Sequence, residues 1–265
     1  METRCATLPY IRHVAFDREW RGVTASMAGN GPRQIYLKAV TDYAINPHDR
    51  VWSAIGVGSH ENLAASKNTD NTLPEERTDA GTLDLLSEDE FAPGYYILSD
   101  YKVWGSYKVC SALGYYTEDE PQFDENDEPI VFKSGKRKGQ QKTKKVLRQN
   151  PDKVDLLKEI LQLNRYRIEM EEKGFPISHI QIQAMPRDGG TIAATSRGIK
   201  EKLYIIELPI KLDSTIIAYY DQLTKEVNDA FITKYARKCD DWESWNGRRC
   251  NGYCEVAQAC KEMGE

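Results

Sequence analysis

The chain has 265 residues, 40% of them hydrophobic and 29% charged, with a net charge of −5. This balance excludes a disordered chain, and no apolar run is long enough to cross a bilayer. The negative sum does not exclude a nucleic-acid partner, because phosphates are bound by local basic surface whatever the total.

The N-terminal stretch "METRCATLPYIRHVAF" lacks the continuous apolar core of a secretory signal, so a cytoplasmic protein is expected. Residues 1–50 read as a helical lead-in interrupted by the glycine-rich "MAGNGPRQ", and "DRVWSAIGVGSHENLAASK" follows as a helix carrying His60. "AGTLDLL" and "GYYILSDYK" are β-type runs joined by the acidic "SEDEFAP", which predicts a hairpin. "SYKVCSALGYY" is either a short helix or a third strand. Seven acids then fall between residues 118 and 128, and eight Lys or Arg between 133 and 148. Adjacent blocks of opposite sign with Pro, Gly and Gln between them predict an exposed, partly disordered insertion over 118–150.

From Asp152 to Gly174 the apolar spacing of Val154, Leu157 and Leu161 predicts a helix, with Asp152 as N-cap and Gly174 as its stop. "HIQIQAM" alternates as a strand, and "KLYIIELP" reads as another. "MPRDGGT" is a plain turn or a phosphate contact through Arg187. Asp213 or Ser214 then caps a long helix with Ile216, Tyr220, Leu223, Val227 and Phe231 on one apolar stripe.

Asp84 and Asp100 fall toward the ends of neighbouring strands, and Lys102 shares the face of Asp100. Two carboxylates there make an oxygen site of the kind Mg²⁺ or Mn²⁺ takes. A lysine beside them would orient or deprotonate a metal-bound water, or offset the charge that builds on a phosphate under attack. Metal-assisted hydrolysis suits all three residues.

The C-terminal tail sets Cys239, Cys250, Cys254 and Cys260 in the spacing C-x10-C-x3-C-x5-C. Four thiolates so close match a tetrahedral zinc site or a [4Fe–4S] cluster. The lack of a tight C-x2-C knuckle leans away from a zinc ribbon. Cys5 competes with Cys239 for the fourth position, and Cys110 reads as a small core residue.

One ordered set runs through the chain: Gly56 to His60 as G-x-x-x-H, Gly81 to Asp84 as G-x-x-D, Asp100 to Lys102 as D-x-K, and Gln162 to Tyr166 as Q-x-x-x-Y. It resembles the RecB-like branch of the PD-(D/E)XK nucleases, including CRISPR-associated RecB-like exonucleases and phage recombination nucleases. The resemblance covers roughly residues 50 to 260. It implies an α/β fold with a restriction-endonuclease-like core: a small mixed sheet flanked by helices over 51–236, followed by a cysteine-cluster module over 237–265. It makes His60, Asp84 and Asp100 metal ligands and Lys102 the catalytic lysine. Gln162 and Tyr166 would touch the DNA backbone or buttress the site, and the cysteine tail would hold a [4Fe–4S] cluster. The expected activity is that of a single-strand DNA exonuclease in recombination, repair or phage DNA processing, alone or with recombination or CRISPR proteins. The sequence departs from the pattern where Leu83 replaces the family's proline, and where Asp100 stands in place of the glutamate of many relatives. The competing reading is a non-catalytic nucleic-acid-binding or adaptor protein with a zinc tail.

Overall fold

The computed structural model describes residues 6–15, 20–66 and 71–264; Cys5 lies outside the described residues. The elements, in chain order, are α1 (Leu8–Val14), α2 (Pro32–Val40), α3 (Val51–Ala64), β1 (Thr72–Pro74), β2 (Arg77–Thr78), β3 (Gly81–Thr82), β4 (Leu85–Glu88), β5 (Tyr96–Trp104), α4 (Ser106–Ala112), β6 (Tyr115–Pro121), β7 (Thr143–Gln149), α5 (Leu157–Glu172), β8 (Ile177–Pro186), α6 (Ile192–Ser196), β9 (Tyr204–Leu208), α7 (Asp213–Thr233), α8 (Asp241–Ser244) and α9 (Ala257–Glu262). They fall into two compact units, one made of Met1–Tyr101, Leu157–Ile182 and Glu207–Glu265, the other of Lys102–Leu156 and Gln183–Ile206. No described helix is long and apolar enough to cross a membrane.

The strands β1-β4-β5-β8-β9, in that order, form a small mixed sheet flanked by helices. β4 pairs antiparallel with β1 on one side and β5 on the other, the expected hairpin. β8 runs parallel to β5, since Ser178 bonds Tyr96 and Gln181 bonds Ser99, both positions rising together. A parallel pair needs a crossover, and α5 supplies it. The strict alternation of β8 buries Ile180, Ile182 and Ala184, while the α7 stripe buries Ile216, Tyr220, Leu223 and Val227.

The lead-in and the tail belong to this same core. Ile35 of α2 packs with Leu223 and Val227, and Tyr36 and Leu37 pack with Ala230, Ala236 and Val256. Arg33, fully buried, donates from Nε to the carbonyl of Ala236 at 2.7 Å and from Nη1 to that of Gly264 at 2.7 Å. Residues of 1–50, 51–236 and 237–265 thus share this packing.

The α5 helix starts at Leu157, not near Asp152. Asn150 takes the capping role upstream, accepting from Asp152 N to close a short 3₁₀ turn over Pro151–Lys153. Val154 and Leu157 are consequently exposed, whereas Leu161 is buried as expected. Leu212, not Asp213 or Ser214, occupies the N-cap of α7, and Asp213 instead pairs with Arg167 of α5.

In the second unit the segment after β5 forms the helix α4 and then the strand β6. The charged segment 118–150 is a folded β-ribbon, against the expectation of partial disorder. β6 pairs with β7 through seven register positions, from Tyr115 against Gln149 to Pro121 against Thr143. Because the acidic and basic blocks lie on opposite sides of the turn, antiparallel pairing sets Asp119 across from Lys145 and Glu120 across from Lys144. Arg148 reaches both Glu118 and Glu120. Opposite charges thus zip the stem that their density alone would keep solvated.

Candidate active site

The geometry starts from the hairpin register. β4 and β5 pair Leu85 with Ser99 at the end of their ladder, with Asp84 in the bend just before β4 and Asp100 next along β5. Asp84 Oδ2 accepts from Tyr101 N at 2.7 Å. Its other oxygen lies 3.2 Å from Nδ1 of His60.

His60 comes from α3, a helix with no fully buried residue. Its Nε2 sits 2.9 Å from the Tyr101 carbonyl oxygen, and the ring meets Tyr101 edge-on at 5.9 Å. One imidazole therefore joins the acid on one strand to the main chain beside the acid on the next.

Asp100 is buried, 3% exposed, and its Oδ1 accepts from Gln162 Nε2 at 3.4 Å. One turn further along α5, Tyr166 is 2% exposed. Burial pushes its phenol pKa well above the usual range, and the charges of Asp100, Asp84 and Glu169 push the same way, against a hydrogen bond with Gln162. Gln162 and Tyr166 are thus behind the acids, in the interior. They buttress the carboxylates and are too deep to lie on a nucleic-acid backbone.

Gly81 explains its place in the motif. Its φ is +138°, and a β-carbon there would lie 2.8 Å from the Tyr166 hydroxyl oxygen. The turn before Asp84 and helix α5 approach this closely because the side chain is missing. Glu169 fastens the same contact by accepting from Ala80 N at 3.1 Å.

Five of the six predicted residues, His60, Asp84, Asp100, Gln162 and Tyr166, therefore meet within the first unit. Lys102 is half-buried, two positions beyond Asp100 on β5, and is the first residue of the second unit. Among the described residues, no three His, Cys, Asp or Glu side chains are grouped closely enough to hold a metal ion.

Cys239, Cys250, Cys254 and Cys260 are free thiols, Cys250 exposed and the others half-buried. Burial raises the Cys239 thiol pKa, Glu243 and Cys260 add to the rise, and a hydrogen bond from the Gln34 amide at the start of α2 opposes it. Cys254 is raised by burial while Arg249 pulls it down. Arg249 is itself held below its usual value by burial, although Cys254, Cys239 and Cys250 favour its charge. Arg249 itself donates to the carbonyls of Gly29 and Glu243 and to Asn30 Oδ1.

No protein-family model matches the chain, and no curated protein is significantly similar to it. A solved structure described as "Crystal structure of SSO0001" is similar at 13% identity, over 95% of this chain and 91% of that one, with a TM-score of 0.44.

Sequence reading missed the main chain of Tyr101 and the guanidinium of Arg249. Tyr101 is the middle residue of D-x-K, and a backbone amide and carbonyl leave no trace in residue identity. Arg249 was visible as a basic residue beside Cys250, but its depth was not.

Proposed function

We propose that the chain is a DNA nuclease dependent on Mg²⁺ or Mn²⁺, with a PD-(D/E)XK-type core, and that it degrades single strands from an end. The observation that carries the chemistry is that Asp84 and His60, which lie 3.2 Å apart, both bond the main chain of Tyr101, the residue after the buried Asp100. Two acids and an imidazole drawn from three segments to one strand end are of the kind found at functional sites.

The donors suit a hard cation. His60 Nδ1 and Asp84 Oδ1, 3.2 Å apart, stand near the ~3 Å that separates adjacent ligands of an octahedral ion with bonds of about 2.1 Å. Asp84, Asp100 and His60 through Nδ1 would have to draw closer than they stand here to hold the ion, which when bound would supply Lewis acidity and an acidified water. Gln162 fixes the rotamer of Asp100, and the buried Tyr166 keeps water out behind it. Lys102, on the Asp100 face by strand alternation, would donate to the phosphate oxygens as their charge grows.

For the tail we propose a [4Fe–4S] cluster held by Cys239, Cys250, Cys254 and Cys260, with Zn²⁺ as the competing occupant. The four thiols are not grouped for a metal as they stand, so the C-terminal segment would close around either occupant, and the nearby Arg249 charge would favour thiolates over thiols. The role would be a staple for the C-terminal segment. Action in recombination, repair or phage DNA processing, with or without a CRISPR partner, is supported by the sequence resemblance.

The test is digestion of end-labelled single and double strands with Mn²⁺ or EDTA, by the wild type and by Asp100→Asn. Stepwise shortening that needs Mn²⁺ and is lost in the variant is expected. A wild type that leaves both substrates intact would end the nuclease reading.

A further inference from the structure

The ribbon of the second unit branches. Beyond the β6/β7 stem, three short stretches lie side by side: Gln122 N donates to Lys142 O at 2.9 Å, Lys142 N to Ile130 O at 2.7 Å, and Ile130 N to Gln122 O at 2.9 Å. Two separate turns leave this junction. One, over 124–128, is closed by Asp124 Oδ1, which accepts from the amides of Asn126 and Glu128 at 2.9 Å each. The other, over 133–138, is reached through Phe132, whose amide donates to Gln140 O at 3.0 Å while its carbonyl accepts from Gly139 N at 2.9 Å.

Charge is sorted between the parts. In the stem, Glu118, Asp119 and Glu120 face Lys144, Lys145 and Arg148, so that portion is neutral. The first turn keeps Asp124, Glu125, Asp127 and Glu128, and the second keeps Lys133, Lys136, Arg137 and Lys138, all exposed. The backbone scheme holds the two prongs on different hairpins instead of zipping them as it does the stem. Arg137 and Lys142 lie over the Phe132 ring at 5.2 and 5.6 Å, which gives the basic prong a fixed cation–aromatic base.

We infer that the 133–138 prong is a docking arm for the phosphodiester backbone of a nucleic acid, with the 124–128 prong confining the polyanion to one side. Four exposed cations within six residues, on a backbone held by main-chain hydrogen bonds, offer several charges at once to one polyanion. Arg137 is pre-positioned by its aromatic neighbour, so less side-chain freedom is lost on contact. A solvated surface needs no such segregation, because mixed charges serve solubility better. The inference rests on the nuclease reading only for the identity of the polyanion.

The test is fluorescence anisotropy of labelled oligothymidylate with the full chain in EDTA, across a salt series, so that no cleavage is needed. The variant Lys133→Ala/Lys136→Ala/Arg137→Ala/Lys138→Ala should bind at least about tenfold more weakly at low salt. Its log K against log salt should flatten by about 3, at ~0.7 per lost contact with a single strand. Neutralising the other prong with Asp124→Asn/Glu125→Gln/Asp127→Asn/Glu128→Gln should leave that slope unchanged. Far-ultraviolet circular dichroism confirms the fold of each variant. Equal affinity and slope for the basic variant and wild type would overturn the proposal. So would displacement of the oligonucleotide by polyglutamate at equal charge, which would make the arm a reader of acidic protein. Binding in EDTA without Mn²⁺-dependent digestion would keep the arm and remove the nuclease.

Discussion

The hydroxyl of Tyr166 rests 2.8 Å from the point a β-carbon on Gly81 would occupy. Helix α5 thus closes on the turn that presents Asp84 only as far as a bare backbone allows. Gly81→Ala should destabilise the protein by about 1–3 kcal/mol, combining the strain of φ +138° with the steric contact. Tyr166→Phe in the same chain should recover part of that loss, and thermal melts of both singles and the double give the coupling.

Asp84→Asn and Asp100→Asn each keep the side-chain shape but remove the charge that would hold a cation. Mn²⁺-dependent digestion should fall at least about 100-fold in either. Oligonucleotide binding in EDTA should stay within about threefold of wild type. Equal activity of Asp100→Asn and wild type would show that the two carboxylates serve folding alone.

Lys102→Ala should lower kcat by about 100-fold or more with KM little changed, because an ammonium that meets growing charge acts in the transition state. A rise in KM alone would make it a substrate-binding residue.

Asp89 is buried beside β5 and β8, and its pKa is lowered chiefly by the Ser178 hydroxyl, with the Phe91 amide and His179 adding to the effect. A carboxyl with a depressed folded-state pKa contributes stability that is complete above its unfolded value of about 3.9 and fades as pH falls through the folded one. Asp89→Asn should therefore melt lower than wild type at neutral pH, and the gap should close as the pH drops below about 4. A gap that stays constant with pH would assign the loss to packing instead of charge.

Protein purified without oxygen should be brown, with a broad absorbance near roughly 400 nm. Cys250→Ser/Cys254→Ser should bleach it and lower the melting temperature. A colourless protein that carries zinc would replace the cluster with the other metal.

The strands, the α7 stripe and the nearness of His60 to Asp84 were legible because they follow from alternation, helical spacing and an ordered motif. The ribbon was not. Composition sees a run of acids and a run of bases as mutually independent and solvated, whereas the fold depends on their mirror placement about a turn, which brings Asp119 to Lys145. The start of α5 was misplaced because Asp152 and Asn150 are both good caps, and only the local backbone decides that Asn150 closes a separate turn. The interior position of Gln162 and Tyr166 was equally hidden: an amphipathic helix pattern does not say whether its polar residues face water or a buried carboxylate.

Arg33 grips the main chain at Ala236 and Gly264 from inside α2. The two contacts join residues more than two hundred positions apart, so this guanidinium exchanges water for carbonyl partners only once the segment from Ala236 to Gly264 has docked.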